Sequence, residues 1–285
     1  EIFILYIMMK FSKIIPFSAI FLIFLSLSIS ILYSCGANLF STADDVKLGE
    51  DLDKEIKSKP NEFPLLTNRP EITNYVSDIG HYILNSSPKI EYKKVFPYKF
   101  QVINDTIVNA FCTPGGFIYI YTGLMKFVDN EATLAGVIAH EIAHAERRHM
   151  TQRLTSYYGI SMLMSIVLGG NPNAAIEIAA NLFVGIGFLA NSRSDEQEAD
   201  DYSIKYLMTS KYYPGGIQYF FDKILKKQRK EGTVGGGFDR LLSTHPLPQD
   251  RIENVKDQMK KYKIVNDSTK GIYHDEYQIF KSKLN

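Results

Sequence analysis

The chain has 285 residues, 45% of them hydrophobic and 22% charged, and carries a formal net charge of +1. Such a length and balance suit one sizeable globular domain. No basic block or arginine-rich helix stands out, which argues against nucleic acid as a partner, and two cysteines are too few for a disulfide framework.

Met8-Met9-Lys10 and Lys13 open a basic stretch, and Ile14 to Ser34 follows without a charge. This pattern predicts an export signal over residues 1–34, with Met8 or Met9 as initiator and residues 1–7 an upstream extension of the reading frame. "ILYSCG", Ile31 to Gly36, resembles a bacterial lipobox, in which a small residue precedes a cysteine that is acylated and becomes the new N-terminus. Leu32 and Ser34 fit that pattern, whereas Tyr33 is bulkier than usual. Cys35 is therefore the candidate lipidation site, and residues 35–40 form a lipidated N-terminus and linker. An apolar run of about 20 residues is also long enough to stay as an uncleaved transmembrane anchor. Either way the protein is expected to be exported and tethered to a membrane. Without Glu1, Lys10 and Lys13 the remainder has no net charge. Cys112 is then a lone thiol, expected to behave as a small buried hydrophobe.

Residues 41–285 read as the folded domain. Ser41 and Thr42, followed by Asp44 and Asp45, predict a helix start with carboxylates in the first turn. In "PEITNYVSDIGHYIL" Ile72, Tyr75, Val76, Ile79 and Ile83 share one helical face, and His81 lies off it. "YKFQVIND" (98–105) and "GFIYIYTG" (116–123) are rich in β-branched and aromatic residues and predict strands, the second fed by a turn at "TPGG". Two apolar, glycine-punctuated helices are expected between Tyr157 and Ala190; Glu177, Asn181 and glycines favour core or active-site cover over membrane spans. The fold class expected is α+β and mostly helical, with a small sheet.

Between the second strand and those apolar helices stands "GVIAHEIAHAERRH", Gly136 to His149. Leu134, Val137, Ile138, Ile142 and Ala145 form an apolar stripe, and His140 and His144 stand one turn apart on the same side of the helix. Two neutral imidazoles at that spacing can reach one tetrahedral ion, and Glu141 beside the first can serve as general base. Such a site needs a third protein ligand. "NSRSDEQEADDYSIKYL" (191–207) offers Glu196, with Asp200 four residues on to accept the N–H of a ligating histidine. His149 reads only as a helix-end cation.

Taken together, "HEIAHAERRH", "SRSDEQEAD", "STHPLPQDRI" (243–252) and the upstream "NAFCTPGGFIYIYTGLM" resemble the HtpX and BepA family of zinc metallopeptidases, whose gluzincin group includes the CAAX-processing and mitochondrial inner-membrane proteases. The resemblance covers most of residues 41–260 in the family's order and is closest to its lipoprotein branch, without a repeat domain. It implies a gluzincin fold binding one Zn²⁺ through His140, His144 and Glu196, with Glu141 as base and Asp200 as the orienting carboxylate. Glu198 is set aside because Asp201 gives it only a three-residue spacing. His245 matches a histidine that approaches the metal in some members; Arg193 and Arg251 match recurrent arginines with structural or transition-state roles, so His245 and Arg251 join Glu141 as catalytic candidates. Substrate is expected to add as a strand along an edge formed by Phe117, Ile118, Tyr119, Ile120 and Tyr121, next to the histidine-bearing helix. These features imply a zinc metalloendopeptidase of the bacterial envelope acting on unfolded or misassembled proteins, with a chaperone-like assembly factor bearing a latent, His245-gated metal site as the rival.

Overall fold

A computed structural model describes residues 38–156, 191–231, 237–246, 249–265 and 270–284. The signal segment, Cys35 and the apolar stretch from Tyr157 to Ala190 lie outside the described residues. Helix α1 (Thr42–Ser58) begins on a capping box, in which the Ser41 side chain accepts from the Asp44 amide while the Asp44 carboxylate accepts from the Ser41 amide. Helix α2 (Pro70–Ser86) buries Ile72, Val76, Ile79 and Ile83 along the expected stripe, and leaves His81 exposed.

Three short strands follow: β1 (Lys99–Ile103), β2 (Ala110–Thr113) and β3 (Phe117–Tyr121), in the order β1-β3-β2. β1 runs parallel to β3 with Lys99 opposite Phe117, and β2 runs antiparallel with Thr113 opposite Phe117. The hairpin between β2 and β3 turns through Gly115 and Gly116 at φ of 74° and 83°, a left-handed conformation that favours glycine. This topology corrects one expectation. Phe117, Ile118, Tyr119, Ile120 and Tyr121 are not an edge: β3 is the central strand, paired on both sides and wholly buried. The edge strands are β1 and the four residues "AFCT" of β2. A continuous apolar run is what a strand buried on both faces requires. Ile118 and Ile120 enter the main core with Phe100, Val102 and Ala110, while Phe117, Tyr119 and Tyr121 pack with Phe111, Phe63 and Ile56 on the other side.

After α3 (Thr122–Phe127) comes the histidine-bearing helix α4 (Glu131–Glu146), capped by Asn130, whose side chain accepts from the Thr133 amide. All 16 of its residues are buried, not one stripe alone, because it is enclosed by α2, β2, α5 (Arg193–Leu207) and α6 (Gly216–Glu231). Its buried charged ends are matched in place. Glu131 accepts from the hydroxyls of Tyr75 and Tyr212, and Glu146 accepts from the Glu91 and Tyr92 amides and, at 2.5 Å, from the Tyr98 hydroxyl. Helices α7 (Asp239–Thr244), α8 (Gln249–Lys261) and α9 (His274–Lys281) complete the described chain. Among the described residues no helix is long and apolar enough to cross a membrane.

The crossing of α4 and α6 is set by glycine: a Cβ on Gly136 would lie 2.4 Å from the Ile217 amide nitrogen and 2.7 Å from the Gly216 carbonyl carbon. Gly136→Val should therefore force the two helices apart and lower stability by about 1–3 kcal/mol or more, read from the urea midpoint.

Candidate metal centre

Residues that stand far apart along the chain meet at the C-terminal half of α4. His140 and His144 come from that helix, Glu196 from the first turn of α5, and His245 from the C-terminus of α7. One ligand atom from each lies within 4.8 Å of the other three, and all four residues are buried. His140 Nε2 and His144 Nε2 stand 3.0 Å apart, Glu196 oxygens lie 3.5 and 3.3 Å from them, and His245 Nδ1 is 2.9 Å from Glu196 Oε1. Two imidazoles facing each other around a buried carboxylate are the donor set of a divalent transition-metal site, and the residues fit such an ion.

The electrostatics agree. Burial holds His144 well below the ordinary imidazole range, which favours the neutral, ligating form. Burial also opposes protonation of His140, but its contacts with Asp200 and Glu196 win and push it up to about 10 in the metal-free chain. Glu196 is held well below the usual carboxylate range: burial works against this, and the charges of His245 and Arg251 overcome it. Burial raises the Glu141 carboxyl, while His245 and His140 pull it down. Glu141 Oε2 is buried with no hydrogen-bond partner among the described residues. It borders a cavity of about 30 Å³ lined also by Phe111, Cys112, His144, Arg153 and His245, room for roughly one water. A second cavity, of about 20 Å³, is walled by Phe220, Phe221 and Leu241 and also borders His140, Glu141 and His245.

Outside the four donors, His140 Nδ1 lies 2.9 Å from Asp200 Oδ1. Arg251, from α8, donates through Nε and Nη2 to the two Asp200 oxygens at 2.9 and 2.8 Å, and its Nη1 reaches Glu196 Oε2 at 2.5 Å and the Pro246 carbonyl at 3.0 Å. Arg193 is exposed in the first turn of α5. Cys112 is a free thiol on β2, raised well above its ordinary pKa by burial and by the neighbouring Glu141 charge.

Three residues at this centre escaped the sequence reading. Asn191 donates to Glu196 Oε1 at 2.5 Å and lies 3.2 Å from His245 Nδ1. His149, expected at a helix end, is instead buried within the centre: its Nδ1 is 2.8 Å from His144 Nδ1 and its Nε2 is 3.0 Å from Glu198 Oε2. Glu198, set aside on spacing, therefore belongs to the surroundings of the centre. The signal for the last two was their sequence proximity to the ligands; only the chain path after α4 gives it meaning.

Comparison with known proteins adds independent findings. The family model described as peptidase family M48 matches residues 71–259. The chain is 28% identical over 234 residues to the beta-barrel assembly-enhancing protease of Escherichia coli (strain K12), an alignment covering 79% of this chain and 45% of that protein. It is 25% identical over 240 residues to the mitochondrial metalloendopeptidase OMA1 of Schizosaccharomyces pombe, covering 83% of this chain and 67% of that one. The chain thus spans about half the length of the assembly-enhancing proteases it matches.

Replacing Arg251 by Met would leave Glu196 and Asp200 buried without their shared cation. Breaking a buried pair costs about 3–5 kcal/mol, so Arg251→Met in the metal-free chain should lower the denaturation midpoint sharply, a loss readable by circular dichroism.

Proposed function

Starting from the fact that this chain belongs to peptidase family M48, we propose that it is a zinc-dependent endopeptidase of the bacterial cell envelope, hydrolysing peptide bonds in misfolded or misassembled envelope proteins. The observation that carries the proposal is the buried meeting of His140, His144 and Glu196 beside Glu141, whose Oε2 is buried without a partner. In this reading the two imidazoles and the Glu196 carboxylate hold one Zn²⁺. When bound, the ion supplies Lewis acidity that makes water nucleophilic near neutral pH and polarises the scissile carbonyl. Glu141 accepts the proton of the attacking water at a carboxylate oxygen and returns it to the leaving amine; burial, which raises its pKa, suits that exchange. Asp200 orients His140, and Arg251 acts chiefly by fixing Asp200 and Glu196.

The substrate backbone is assigned to the free edge of β2, which borders the same cavity as Glu141; among the described residues only β3 pairs with β2. An added strand is read through its main chain, which suits substrates without a shared side-chain motif. Tethering through an acylated Cys35, or through an uncleaved anchor, rests on the sequence pattern of residues 8–36, and the first described residues are bound to the domain. Asn38 Nδ2 donates to Thr151 Oγ1 and the Leu39 amide to Thr155 Oγ1, both just beyond the histidine-bearing helix.

A second reading, an assembly-assisting binding protein with a latent metal site, is favoured by one feature: His245 stands as a fourth donor in the cluster and can occupy the position substrate needs. Casein degradation separates the two. Wild-type cleavage supports an open enzyme, whereas cleavage by His245→Ala alone indicates a gated one. Glu141→Gln should retain about one zinc per chain and lose peptide cleavage by roughly 10²- to 10⁴-fold, measured by metal analysis and peptide hydrolysis side by side. Wild-type activity in that variant refutes the role given to Glu141.

A further inference from the structure

We propose that His149 is a positioning residue for the metal centre, holding the His144 ring in the tautomer and orientation that ligation requires, and that Glu198 and Arg147 fix it in turn. The inference rests on the metal site proposed above. His144 Nε2 faces the donor cluster, so its proton belongs on Nδ1, which points the other way. A buried N–H needs an acceptor, and His149 Nδ1 stands 2.8 Å from it. The direction of the chain is set from its far end. Glu198 Oε1 accepts from Arg147 Nε at 2.8 Å, and Oε2 lies 3.0 Å from His149 Nε2. A carboxylate beside a guanidinium only accepts, so Nε2 of His149 carries a proton, and in the neutral ring Nδ1 is then a lone pair. His144 Nδ1–H then donates to that lone pair, and His144 Nε2 is left free to ligate. With His144 Nε2 given to the ion, every donor in the series has one acceptor.

The backbone is bent to make this possible. In a continuous helix His149 would lie five residues beyond His144 and about 140° around the axis, away from it. The helix instead ends at Glu146, and Arg148 takes a left-handed φ of 58°. That conformation is uncommon for a residue with a side chain, and Arg148 is held in it by Asp45 and the Phe40 carbonyl. The reversal brings the His149 ring back under His144, where only 1% of it is exposed. The two ligands of α4 are thus supported differently: His140 directly by the Asp200 carboxylate, His144 by an imidazole interposed before Glu198.

Zinc affinity, measured by competition with a chromophoric chelator on the full chain, tests this. His149→Leu removes the acceptor and should weaken binding by roughly 10- to 100-fold. His149→Asn places a side-chain oxygen near the position of Nδ1 and should recover most of that loss. Wild-type affinity in the Leu variant, or an Asn variant that folds yet binds as weakly as Leu, overturns the proposal. If the Leu variant does not fold, Glu198→Ala is read in its place, with a weakened affinity expected and wild-type affinity overturning it. A wild-type chain that binds no zinc sinks the functional reading as well, whereas tight wild-type binding with an unaffected variant removes only the role of His149.

Discussion

Arg251 lies between two carboxylates that are themselves fully enclosed, donating to both oxygens of Asp200 and approaching Glu196 through its third nitrogen. Withdrawing a carboxylate from water costs several kcal/mol even after the protein relaxes, and two adjacent ones repel each other besides. α5 could not present Glu196 and Asp200 on its inner face unless a cation were built in between them. That cation comes from α8, whose own place is fixed by Ile252, Val255 and Met259 in the main core. The centre is therefore assembled from four segments, α4, α5, α7 and α8, and the guanidinium is where charge balance and tertiary packing become one requirement.

The enclosure of α4 follows the same logic. A helix with functional polar groups along one side would ordinarily leave that side in water, yet here every residue from Glu131 to Glu146 is buried. Each polar group therefore needs an internal partner, and most find one: Glu131 among tyrosine hydroxyls, Glu146 at the Glu91 and Tyr92 amides, His144 against His149, while His140 Nδ1 lies 2.9 Å from Asp200 Oδ1 without an aligned hydrogen bond. The oxygen left over is Glu141 Oε2. In a helix so thoroughly matched, one spare acceptor beside a water-sized cavity is a position prepared for chemistry rather than an accident of packing.

Much of this was legible in the sequence because local physics governs it. The capping box at Ser41, the stripe of α2 and the β-branched and aromatic residues of β1 and β3 depend on neighbours within a few residues, and the spacing of His140, Glu141 and His144 needs only a helix. β2 was not legible: "AFCT" is too short to display a period, and its partner is named only by the sheet. The order of strands, and hence which edge is open, depends on that unseen strand, so the edge was assigned to β3. His149 and Glu198 were missed for a different reason. Their meaning depends on where α4 stops, and no glycine marks the left-handed residue at Arg148, where a distant aspartate and carbonyl impose the turn.

That turn also joins the histidine-bearing helix to the first of the described residues. Arg148 is clasped by Phe40 and Asp45, and two residues earlier Asn38 is stitched to the helix that continues from His149. Residues 38–45 thus brace the bend beneath His144, so the surroundings of that ring depend on a segment 103 to 113 residues earlier in the chain.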